Sequence, residues 1–72
     1  MKEVIDAIHE VIPHAVIQSQ FNGAYVKLQI KDAVFNQMKM LQRHRFIKDI
    51  LAPWINDGTI HALELVIEGT GE

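Results

Sequence analysis

Two short apolar runs meet at Asn22-Gly23, and that junction constrains the fold more than any other feature of the chain. Asparagine and glycine both tolerate positive φ, which the tight turns of β-hairpins require. Beyond the dipeptide, Tyr25 to Ile30 alternates strictly: Val26, Leu28 and Ile30 to one side, Tyr25, Lys27 and Gln29 to the other. Before it, Ala15 to Gln20 is short, partly β-branched and uncharged. The pattern predicts a β-hairpin with one polar face. Its apolar face must then be covered by helices.

Two segments carry the helical period. Val4, Ile5, Ile8, Val11 and Ile12 recur at helical spacing opposite Glu3, Asp6, His9 and Glu10, and Pro13 closes the run. From Lys39 a second helix is expected, with Met40, Leu41, Ile47, Ile50, Leu51, Trp54 and Ile55 as its buried stripe. Pro53 should kink that helix or end its main body early, and Asn56-Asp57-Gly58 stops it. Between hairpin and helix, Lys31 to Met38 reads as a loop with one helical turn, in which Val34 and Phe35 tuck into the core.

Ile60 to Ile67 supplies a third strand, with His61, Leu63, Leu65 and Ile67 on one face and Ala62, Glu64, Val66 and Glu68 on the other. Gly69 to Glu72 should fray. The expected fold is α+β: a small α-β-β-α-β sandwich whose three-stranded sheet is covered by helices on one face. Residues 1–72 are too few for more than one domain, and 49% hydrophobic content is enough for its core.

Composition then narrows the chemistry. Without cysteine there is no disulfide, no thiolate ligand and no cysteine nucleophile. Ser19, Thr59 and Thr70 lie in no nucleophile motif, and no glycine-rich loop precedes a helix, so an enzyme is not expected. No apolar run is long enough to span a bilayer, and the N-terminus does not resemble a signal peptide. The expectation is a cytoplasmic protein with no membrane partner.

Four histidines remain, with no close ligand spacing among them. His9 reads as solvated on the first helix, His14 as a turn residue, and His44 as part of the solvated face of the second helix. His61, read alone, is a partly buried strand-edge histidine bonded to the preceding loop. The alternative is a surface metal ligand, for which a partner would have to bring the other ligands. Lys39, Arg43, Arg45 and Lys48 form a local basic cluster on a chain of net charge −2. They read first as the solvated side of an amphipathic helix, and alternatively as phosphate contacts for DNA or RNA in a transcriptional regulator.

The spacing from Phe35 to Arg43-His44-Arg45, followed after one helix by Ile60-His61-Ala62-Leu63, resembles the BolA family over nearly the whole chain. The resemblance implies a fold similar to class II KH domains. It also implies pairing with a monothiol glutaredoxin, with a [2Fe-2S] cluster shared between the two proteins and none held by the isolated chain. The glutaredoxin would supply its cysteine and a bound glutathione; this chain would supply His61 as metal ligand. The expected role is iron–sulfur cluster trafficking or iron sensing. Three departures stand out. Gln37-Met38 replaces the Gly-Lys common in the family, and the chain ends at Glu72, short of the usual tail. Gln20 to Tyr25 also lacks the histidine or cysteine that many members carry between the first two strands. The resemblance therefore leaves His61 as the principal ligand from this chain, with His14, His44, Tyr25 or water as candidates for the missing place.

Overall fold

The computed structural model describes residues 1–71. Helix α1 (Lys2–Val11) leads into strands β1 (Val16–Asn22) and β2 (Tyr25–Lys31). A 3₁₀ turn, Ala33–Gln37, is followed by helix α2 (Met40–Asn56) and strand β3 (Ala62–Glu68). The sheet order is β1-β2-β3, with β1 antiparallel and β3 parallel to β2. Order and architecture are those expected of an α+β sandwich.

The core forms where the two periods meet. Val26, Leu28 and Ile30 of β2 are buried with Ile67 of β3, beneath Val4, Ile8 and Ile12 from the first helical segment and Ile47 and Leu51 from α2. Phe35 is fully buried and meets Phe46 edge-on, with ring centroids 5.9 Å apart at 88°. Its burial fixes the 3₁₀ turn to the core. Removing such a ring costs about 3–5 kcal/mol.

Several expectations are corrected. The hairpin's two-residue loop is Gly23-Ala24, because Asn22 pairs with Tyr25 as the last residue of β1. Only Gly23 there has positive φ, at 61°, so Asn22 is extended strand. Val11, Val34, Met40 and Leu41 are exposed, the last two in the first turn of α2. His9 is half-buried, and its Nε2–H donates to the Ala15 carbonyl at 3.0 Å. Helix α2 continues three residues past Pro53, whose missing N–H falls in the solvated last turn. The tail does not fray as far as Gly71. Asn36 Oδ1 accepts from Thr70 N at 2.8 Å and Gly71 N at 3.3 Å, and a Cβ on Gly69 would collide with Asn36.

The largest correction concerns Arg43. It is 7% exposed. Its Nε donates to Met38 O at 3.0 Å and its Nη1 to Ile67 O at 3.1 Å. The guanidinium thus ties the start of α2 to the end of β3. This removes Arg43 from the surface basic cluster and leaves Lys39, Arg45 and Lys48 exposed.

Candidate metal-ligand site

The register gives the molecule two ends. β2 starts beside the start of β3, where Tyr25 faces Ala62, and finishes beside its end, where Lys31 faces Glu68. β1 starts at the second of these ends, where Val16 faces Lys31. The C-terminus of α2 and the hairpin loop therefore share one end with His61. The N-terminus of α2, with His44, shares the other with His14.

A five-residue connection, Asp57 to His61, builds the site. Asp57 N donates to Pro53 O at 3.1 Å, closing the last turn of α2. Gly58 follows with φ of 83°, a left-handed conformation that side chains rarely adopt, and its N–H reaches Ile55 O at 3.3 Å. Asp57 Oδ1 accepts from Thr59 N at 2.8 Å, and these bonds from Thr59 hold the Asp57 carboxyl below its usual range. Ile60 then drops into the core, and its N–H donates to Trp54 O at 3.0 Å. His61 N and Ala62 N both converge on Ala24 O, at 2.9 and 3.2 Å.

Two donors converge on one carbonyl, and β3 begins at Ala62, two residues after the expected Ile60. His61 consequently stands before the strand and is exposed, not half-buried within it. Its Nε2 lies 3.9 Å from the position a Cβ on Gly58 would occupy. Among the described residues no hydrogen bond engages the imidazole. The ring is anchored through its backbone and open at its nitrogens.

One imidazole is a single donor. Among the described residues there is no group of three or more His, Cys, Asp or Glu able to hold a metal. His14 and His44 lie at the far end of the sheet and helix from His61. His44 Nδ1–H donates to Met40 O at 2.9 Å. Tyr25 is nearer, but its hydroxyl donates to Glu64 Oε1 at 2.8 Å on the open face of the sheet. That bond raises the Tyr25 pKa, and the same bond, helped by the charge of Lys27, lowers that of Glu64. The residues present fit one end of a bridged site and not a closed one.

Sequence reasoning used Gly58 only as the stop of the second helix and did not single out Ala24 or the clamp of Arg43. The Asp57-Gly58 pair at the helix end was the available signal for Gly58.

Comparison with known proteins decides the family. The family model described as BolA-like protein matches residues 2–72. The chain belongs to the BolA-like family. Among solved structures, BolA1 from Arabidopsis thaliana superposes with a TM-score of 0.82 at 19% identity, covering 99% of this chain and 92% of its own. The BolA domain of SufE1 from the same plant gives 0.86 at 18% identity, covering 97% and 91%. A BolA-like hypothetical protein from Rickettsia prowazekii gives 0.71 at 21%, covering 94% and 91%. These likenesses establish the BolA fold. No curated protein matches the chain. Within the BolA pattern, Phe35 and Arg43 are core and clamp, whereas His61 is exposed. No helix among the described residues is long and apolar enough to cross a membrane.

Proposed function

We propose that this BolA-like chain is a non-enzymatic accessory protein that pairs with a monothiol glutaredoxin and shares a [2Fe-2S] cluster with it, in cluster trafficking or iron sensing. One observation carries the reading: the exposed imidazole of His61, backbone-anchored at the hairpin end, has no internal partner among the described residues. His9 and His44 each commit one ring nitrogen to a backbone carbonyl, whereas His61, like the exposed turn residue His14, commits neither among the described residues. A neutral imidazole replacing thiolate on one iron lessens negative charge, raises the reduction potential and loosens the hold on the cluster. Such loosening suits a protein that passes a cluster on.

The residues of this chain have separable tasks here. His61 donates the lone pair of one ring nitrogen, while the bonds to Ala24 and the turn at Gly58 set where that nitrogen stands. Absence of a histidine or cysteine from Gln20 to Tyr25 makes His61 the sole strong contribution from this chain.

The test is reconstitution with a monothiol glutaredoxin, iron, sulfide and glutathione. A coloured heterodimer is expected, with a visible spectrum that differs from that of the glutaredoxin alone. His61→Ala should abolish the difference while preserving the circular dichroism of the chain. An unchanged spectrum in that variant would remove His61 as the ligand.

A further inference from the structure

We propose that the outer edge of β1 is a self-association edge, on which a second copy of this chain pairs antiparallel and extends the sheet from three strands to six. β1 is a terminal strand with β2 on one side only. Asn22 and Tyr25 close a two-residue loop and so form a hydrogen-bonded pair. Alternation then turns the backbone groups of Gln20, Gln18 and Val16 toward β2. Those of Ile17, Ser19 and Phe21 point outward, and among the described residues nothing receives them.

The two edges of the sheet are treated differently. On β3, Glu64 and Glu68 bring charge, and Arg43 occupies the outward Ile67 carbonyl. β1 has none of the protections that keep edges apart. Its seven residues contain no charge and no proline, and its register with β2 runs without a bulge. Val16 is 64% and Phe21 38% exposed.

The symmetry of the segment selects the occupant. Val16-Ile17-Gln18-Ser19-Gln20-Phe21-Asn22 reads nearly alike in both directions about Ser19. Two-fold pairing centred there sets Ser19 against Ser19, Gln18 against Gln20, and Ile17 against Phe21. The three outward residues of each copy meet one another and make about six backbone hydrogen bonds. Glutamine amides face each other on the open side of the sheet, and Ile17 meets Phe21 on the helix side. No like charges are opposed, although each copy carries a net charge of −2. The edge lies across the sheet from β3, so pairing leaves His61 free.

Sedimentation velocity of the iron-free chain, raised to about 1 mM, should show a concentration-dependent monomer–dimer equilibrium. Ser19→Lys opposes two ammonium groups across the two-fold and should raise the dissociation constant roughly fivefold, less at high salt. Ser19→Pro removes an outward N–H that the hairpin does not use, and should give a folded monomer. The double variant Q18K/Q20E opposes ammonium to carboxylate twice and should tighten the dimer, which also decides the matter if Ser19→Pro fails to fold. A chain that stays monomeric at the highest concentration overturns the proposal and leaves the edge to a strand from another protein. So does a dimer insensitive to Ser19→Lys and Q18K/Q20E, or one that forms only when iron is added.

Discussion

Arg43 is buried because its charge is spent on carbonyls that the fold would otherwise leave facing the interior. A planar fork reaches Met38 O and Ile67 O at once from two nitrogens held in fixed geometry, which a lysine ammonium does not offer. Arg43→Ala should therefore destabilise the chain by about 2–4 kcal/mol, since it strands buried acceptors of a charged donor. Arg43→Lys should recover only part of that loss. Urea unfolding measures both as shifts in midpoint at constant slope, and a loss below about 0.5 kcal/mol for alanine would contradict the clamp. Hydrophobic periodicity scores arginine as a solvated residue, so the sequence alone placed Arg43 in the surface cluster. Its carbonyl partner at Ile67 is 24 residues away, beyond the reach of any local pattern. Tyr25 makes the second residue-level prediction, because it is the single tyrosine and its phenolate absorbance reports it alone. Its titration midpoint should lie above the ordinary 10.0, and Glu64→Ala should return it toward that value. The signs follow from the two shifts. Glu64, held low, stabilises above the unfolded carboxylate range and loses that contribution as pH falls through its folded pKa. Tyr25, held high, stabilises below about pH 10 and loses its contribution as pH rises through its folded value.

The hairpin shows what an element reveals and what it withholds. Asn22-Gly23 announces a tight turn, yet two registers satisfy it: a loop of Asn22-Gly23, or one of Gly23-Ala24. The first needs positive φ at both residues, the second only at the glycine. Alanine is acceptable at the second position of the latter, so local chemistry cannot choose between them. The choice is made by pairing of β2 with both neighbours, which fixes Tyr25 opposite Asn22 and Ala62. Gly23→Ala should then cost about 1–2 kcal/mol for its left-handed backbone, whereas Asn22→Ala should change stability by no more than about 0.5 kcal/mol. Equal losses in a denaturation series would favour the other register. The same limit explains Met40 and Leu41. Their spacing puts them on an apolar stripe, but a stripe does not say where a helix overhangs its sheet, and both lie in the first turn of α2. Order of elements and choice of core faces were legible. Overhang, register and the clamp arise from contacts between elements and were not.

At the scale of the whole molecule, strand direction decides which histidines can act together. A seven-residue strand is about 20 Å long at ~3.3 Å per residue. His14 precedes the start of β1 and His61 precedes the start of β3, at opposite ends of that length. His44 is twelve residues before the end of α2, roughly 18 Å along its axis. On the proposed reading, neither could reach an iron held by His61 in the same chain. In the reconstituted glutaredoxin complex, His14→Ala and His44→Ala should therefore leave the visible spectrum as in the parent chain. A spectral change in either would mean that ligands come from both ends, which one rigid copy cannot supply. Gly58 provides the converse experiment, since it acts on His61 without being a ligand. Gly58→Ala puts a Cβ in a left-handed conformation and 3.9 Å from His61 Nε2. Its cost in stability should be about 1–2 kcal/mol. Its effect on the complex should be a faster loss of colour to a chelator, because relief of the strained φ at residue 58 shifts the backbone that positions the ring, the added Cβ meeting Nε2 only at van der Waals distance. If the loss of stability appears and the chelation rate does not change, the turn at Gly58 serves the helix end alone, and the orientation of His61 rests on Ala24.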